Sequence, residues 1–152
     1  LRGEQKYYLA DLGIYFSRNV DTRINYGPVL ENIVYTYLSA KNYKISVGRI
    51  GKLECDFITR ADDEYRYIQV AMTIMSPETE EREYKPFGMI RDNYPKYLFT
   101  MDTLLQKRDG VIHKNVVEFI ATDENLSNSM KIVKIDSFLN DEVLLALNFT
   151  DK

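Results

Sequence analysis

A chain of 152 residues, 45% apolar and 28% charged, is one domain's worth of ordinary globular sequence, long enough to bury a core. Its 23 acids against 20 lysines and arginines leave a net charge of −3. No global positive field therefore attracts nucleic acid, and any such binding needs a local patch. The lone cysteine, Cys55, excludes an intrachain disulfide and suits a reducing, cytoplasmic compartment; apolar runs are too short to span a membrane, and nothing reads as a signal peptide. Opening on Leu1 rather than Met, the chain is expected to be a piece of a longer protein.

Residues 6–16 are apolar and aromatic, and Gly13 marks a bend or cap rather than a long helix. This segment reads either as an entry from a preceding domain or as a lid over the core. Residues 26–40 are expected to be helical. Pro28 suits the first helical position, and Leu30, Ile33, Val34, Tyr37 and Leu38 form a core stripe. Glu31 borders that stripe, where a carboxylate needs a partner or a metal, unless it is simply an early-turn acid favoured by the helix dipole.

After a short strand at 44–49, the centre of the chain is a β-hairpin, 53–58 running into 66–74 through a turn at 61–64. In the first arm Leu53, Cys55 and Phe57 share one face while Glu54 and Asp56 share the other. Cys55 thus reads as a small core residue rather than a nucleophile. In the second arm Gln69 and Ala71 share a face, opposite Ile68 and Val70. Asp56 and Gln69 can therefore sit on neighbouring strands and face the same side.

Ser76 and Pro77 then cap and open a helix loaded with Glu78, Glu80 and Glu81. It is expected to run toward Ile90, with a kink or split near Tyr84 imposed by Pro86. Residues 94–100 make a buried strand, 110–115 a weak one, and 116–120 a helical turn or extended edge. The domain is expected to end near residue 120. Residues 121–130 read as a polar linker, 131–135 as a strand, and Phe138, Leu139, Val143, Leu144 and Leu147 as a short amphipathic helix. That tail, 121–152 overall, either folds back on the domain, the default reading, or contacts a partner.

The sequence holds no repeat, no glycine-rich phosphate loop and no Cys/His cluster with zinc spacing. His113 is the lone histidine, which nearly excludes Ser-His-Asp and Cys-His sites and leaves it as a strand residue.

The order helix, strand, strand, strand, helix, strand, with an acid on the first helix and Asp56 on the middle strand, resembles the restriction-endonuclease-like PD-(D/E)XK fold. This implies an α/β architecture with a mixed sheet flanked by helices. More closely, the motifs resemble the C-terminal domain of unknown function that follows the ATPase module in many prokaryotic AAA-type ATPases. The residues carrying the likeness are Tyr8-Leu9-Ala10-Asp11-Leu12-Gly13, Gly27-Pro28-Val29-Leu30-Glu31-Asn32, Glu54-Cys55-Asp56-Phe57-Ile58, Tyr67-Ile68-Gln69-Val70, Glu81-Arg82-Glu83 and Asp92-Asn93-Tyr94-Pro95-Lys96-Tyr97. They cover about residues 5–120; the tail has no counterpart.

In active nucleases of that superfamily, acids hold Mg²⁺ and a lysine of an acid-x-lysine motif helps activate the attacking water. Here the resemblance puts that motif on Gln69-Val70-Ala71. A neutral amide stands where a hard cation prefers an anionic oxygen, and no polar group stands in the lysine's place. Glu31, Asp56 and Gln69 then form a vestigial nuclease site, with Asp56 and Glu31 the remaining acids a metal could use. Three functions compete: a non-catalytic accessory domain of an ATPase, holding a protein partner; an Mg²⁺-dependent nuclease with a substitute cation such as Lys44, Lys52 or Arg66; and a DNA-docking module. The first fits the degraded motif and the acidic balance best. No cofactor is then expected in this stretch, ATP belonging to a preceding module of the same chain.

Overall fold

The structure is a computed structural model, and residues 6–18, 24–61 and 63–126 are described. Asn25 sets the start of the main helix, α2 (Tyr26–Ala40): its extended backbone halts the chain while its side chain accepts from the Gly27 N–H. The cap at Asn25 puts Pro28 at the third helical position rather than the first, where its missing N–H is still one of those without a helical acceptor. A shorter helix, α1 (Leu12–Arg18), precedes it and has no buried residue. At the far end of α2, Asn42 takes a left-handed conformation, φ 63°, that turns the chain into the sheet.

β1 (Lys44–Ile50), β2 (Leu53–Ala61) and β3 (Glu64–Val70) form an antiparallel meander, turning at Gly51 (φ 62°) and Asp63 (φ 61°). The expected second arm of the hairpin stops at Val70 instead of continuing to Ile74. Beyond it Ala71 donates to the Phe99 carbonyl, and the chain leaves the sheet toward Ser76 with Ile74 buried. Ser76 accepts from the Thr79 N–H and opens α3 (Pro77–Tyr84). The split expected from Pro86 is present, since a separate 3₁₀ turn follows at Phe87–Met89.

β4 (Lys96–Thr100) returns parallel to β3, and β6 (Val111–Asn115) parallel to β4, with the two-residue β5 (Lys107–Arg108) on its outer edge. The strand expected to be weak therefore lies inside the sheet, in the order β1-β2-β3-β4-β6-β5. Asn115 then accepts from the Glu118 N–H and makes 116–121 a true helix, α4 (Val116–Ala121), rather than an extended edge.

Among the described residues the result is an α/β domain with an open six-stranded mixed sheet flanked by helices, as expected. One face packs Phe57, Ile68, Tyr97 and Phe99 against Leu30, Val34 and Leu38 of α2 and Val116 and Phe119 of α4. The other packs Leu98 and Val111 against Tyr84 of α3, Phe87 and Ile74. Residues 121–126 do not behave as a linker. Lys41 pairs with Asp123 at 2.6 Å, the Tyr37 hydroxyl donates to the Glu124 carbonyl at 2.8 Å, and Leu126 is buried beside Tyr43. The expected strand at 131–135 and amphipathic helix at 138–147 lie outside the described residues.

Candidate functional site

β2 and β3 pair only from Ala61↔Glu64 back to Phe57↔Ile68; beyond that point β2 continues beside β1 alone. The sheet forks between Asp56 and Gln69. A fork exposes backbone donors that have lost their ladder partners, and buried donors must be satisfied somewhere. Here each strand's side chain serves the other strand's backbone. Gln69 Oε1 accepts from the Asp56 N–H at 2.8 Å, and Asp56 Oδ2 accepts from the Val70 N–H at 2.9 Å. The Gln69 amide nitrogen donates to Glu83 Oε2 of α3 at 3.2 Å, and Glu83 Oε1 receives Arg82 at 2.8–3.0 Å. Gln69 and Glu83 are both buried. Every polar atom of the Gln69 side chain is therefore engaged in holding the fork closed.

The other side of Asp56 faces the segment before α1. Lys6 Nζ lies 3.0 Å from Glu54, 3.1 Å from Glu31 Oε1 and 3.4 Å from Asp56 Oδ1. Two residues on, the Tyr8 hydroxyl donates to Glu31 Oε1 at 2.6 Å, and its ring stacks on Tyr35 at 4.2 Å and tilts against Phe57. Asn32, buried on α2, closes the seat: it accepts from the Leu9 N–H at 2.7 Å and donates to the Leu9 carbonyl at 2.9 Å, as a neighbouring strand would. Residues 6–9 are thus a strap laid across α2 and the mouth of the fork. The lid reading of this segment holds for these residues, while α1 stays on the surface.

The electrostatics follow from burial against charge. Burial pushes Asp56 up to about 6; the Glu31 and Glu83 charges push the same way, against the Val70 amide and Lys6. For Lys6, burial works against the charged form but is outweighed by the hydrogen bond to Glu54 and by the Asp56 and Glu31 charges, so the ammonium is held above its ordinary value. Tyr8 is raised by burial and then by its bond to Glu31, and stays a neutral donor. Cys55 is fully buried, and its thiol is pushed up to about 12 mainly by burial, which leaves it unreactive in the core.

Glu31, Asp56 and Gln69 come together: the Asp56 N–H donates to Gln69, the Asp56 carboxylate accepts from the neighbouring Val70 N–H, and Lys6 bridges Asp56 to Glu31. The cations considered as substitutes are not the ones at the site. Lys44 lies opposite Arg60 in the β1–β2 ladder, four residues beyond Asp56 on β2. Arg66 is buried near Tyr43 and donates to the Ala61 and Glu64 carbonyls at the hairpin end. Lys52 sits in the β1–β2 turn. Ala71 is buried against Ile74 and Tyr84. Sequence reasoning missed Lys6 and Glu83. Glu83 had a signal, lying in the Glu81-Arg82-Glu83 motif that carries the resemblance; Lys6 had none, since its partners lie 25 and 50 positions away. His113 is structural. Its Nδ1 accepts from the Gln106 N–H, so the neutral ring carries its proton on Nε2, against Thr100 Oγ1 at 2.8 Å.

For a divalent cation the donors fit poorly. A hard ion needs several free anionic oxygens at 2.0–2.6 Å. Here one Asp56 oxygen is committed to a backbone amide, the Gln69 oxygen to another, and the space between the three acids holds an ammonium. Among the described residues no group of three His, Cys, Asp or Glu side chains is arranged to hold a metal. Nor is any helix among them long and apolar enough to cross a membrane.

No family model matches the chain. Over 100 residues, 66% of its length, it is 38% identical to an uncharacterized protein of Haemophilus influenzae. The matched stretch is 24% of that protein, so the chain spans about a quarter of the curated relative it matches.

Proposed function

We propose that this domain is a non-catalytic accessory module of a larger ATP-binding protein, built on a nuclease-like scaffold whose site serves structure instead of hydrolysis. One observation carries the reading: the ammonium of Lys6 fills the space among Glu31, Glu54 and Asp56 that a catalytic cation would need. The reciprocal use of Gln69 and Asp56 supports it, because both side chains are spent on backbone amides. The threefold longer remainder of the Haemophilus relative supports a modular parent, and the resemblance to AAA-associated domains supplies its expected nature, with ATP on the preceding module and a protein as partner.

A second reading, a metal-dependent nuclease, is favoured by the same lysine, since Lys6 Nζ stands 3.4 Å from Asp56 as a water-positioning cation would. A plasmid-nicking assay with Mg²⁺ and Mn²⁺ separates the two. The accessory reading expects no nicking above buffer from the wild type; nicking that disappears in both Asp56→Ala and Lys6→Met establishes the nuclease.

A further inference from the structure

Away from the fork, on the α2/α4 face of the sheet, an apolar groove of about 420 Å³ opens between Val29 and Ile33 of α2, Val117 and Ile120 of α4, and Met72 and Met101 in the loops after β3 and β4. Val117 is 56% exposed and Tyr26, at the rim, 54%. An apolar depression of this kind is normally covered by something. We propose that its occupant is this chain's own C-terminal segment, residues 138–147.

Three observations select that occupant. The first is where the described chain ends. Residues 123–126 are tied to the C-terminal end of α2 through Lys41, Tyr37 and Tyr43, on the same side of the sheet as the groove. The second is reach. From Tyr37 to Val29 is eight helical residues, about 12 Å at 1.5 Å each, whereas residues 127–137 can span about 36 Å. The third is chemistry. Residues 138–147 hold six large apolar side chains, Phe138, Leu139, Val143, Leu144, Leu145 and Leu147, suited to lie against walls that are almost wholly apolar. A segment tethered this closely competes at an effective concentration in the millimolar range, so a foreign apolar peptide of equal intrinsic affinity at micromolar concentration loses to it.

The test uses the full chain with paired cysteines. Val117→Cys with Leu144→Cys is oxidised under mild conditions and mapped by mass spectrometry. Tyr65→Cys with Leu144→Cys serves as control, Tyr65 lying at the start of β3 by the hairpin turn. Val117 is exposed enough for the change to be tolerated, and the buried Cys55 does not compete. The expected result is an intramolecular disulfide between the two introduced thiols of the first pair, formed at least tenfold faster than the control link. Equal rates for the two pairs, no link at all, or links found only between two copies each overturn the proposal, the last in favour of a second copy as the occupant. As an independent readout, Val117→Asp in the full chain is expected to lower hydrogen-exchange protection of residues 138–147 at least tenfold without changing that of β4. Unchanged protection in the tail also overturns it.

Discussion

Asp56 concentrates the physics of the site, because its carboxyl is half-buried and yet tied to an amide and an ammonium. Its folded value, about 6, lies above the ordinary 3.8. Between those values the native state holds a proton that the unfolded chain has released, so its stabilising contribution is full below about pH 4 and is lost as pH rises through 6. His113 acts in the opposite sense: burial lowers it, so its contribution is lost as pH falls. The clean measurement is therefore a difference. Urea melts from pH 4 to 8 are expected to show wild type losing stability relative to Asp56→Asn as pH rises through 6; parallel curves would contradict the assignment. Gln69→Glu tests the fork itself. The new carboxylate keeps the acceptor for the Asp56 N–H but faces Glu83 with an oxygen in place of the amide donor. A loss of about 1–3 kcal/mol at pH 7, partly recovered near pH 5 as one of the three coupled acids takes a proton, is the expected outcome of chemical melts at the two pH values.

At the level of elements, the β1–β2 pairing depends on close approach at Gly48, opposite Cys55. A Cβ there would lie 2.6 and 2.8 Å from Ile58 Cγ1 and Cδ1 and 3.0 Å from the Cys55 Cβ. Ile58 is β-branched and stiff at χ1, and the Cys55 Cβ is fixed by the backbone, so neither yields cheaply. Gly48→Ala is expected to cost about 1–3 kcal/mol, read as a lower urea midpoint with unchanged slope. Gly88, in the 3₁₀ turn, has nothing within 4 Å of the same added atom, and Gly88→Ala is expected to be neutral or stabilising by about 0.4–1 kcal/mol. Equal effects at the two glycines would show that conformational entropy, not the contact with Ile58, governs β1.

For the whole molecule, the charge balance bears on partners. Several basic residues are already spent: Lys6 on three acids, Arg108 on Glu80, Glu81 and Asp109, Lys114 on Glu124, and Lys41 on Asp123. Non-specific affinity for duplex or single strands comes mainly from neutralised phosphates. With these cations internally paired and a net charge of −3, fluorescence anisotropy is expected to give at most millimolar binding at physiological salt. Submicromolar binding that survives that salt would replace the protein-partner reading with a DNA-docking one.

Much of this was legible in the residues. Period-two alternation put Asp56 and Gln69 on one side of adjacent strands, the α2 stripe marked the core with Glu31 at its edge, and the Ser76 cap and Pro86 fixed where α3 begins and breaks. These signals are local, set by backbone periodicity and by the few residues that satisfy or remove a terminal N–H. What the tertiary structure decided was which distant groups meet. The burial of β6 within the sheet follows from parallel pairing to β4, a choice that a five-residue strand cannot announce. Glu83 reaches Gln69 because α3 crosses that face of the sheet. Lys6 reaches Glu31 and Asp56 because half-buried carboxylates held close together at a sheet fork favour a cation between them, and the strap clamped by Asn32 brings the ammonium that fills that place. No sequence period links positions 25 and 50 residues apart; only the desolvation cost of the acids, acting in the folded chain, does.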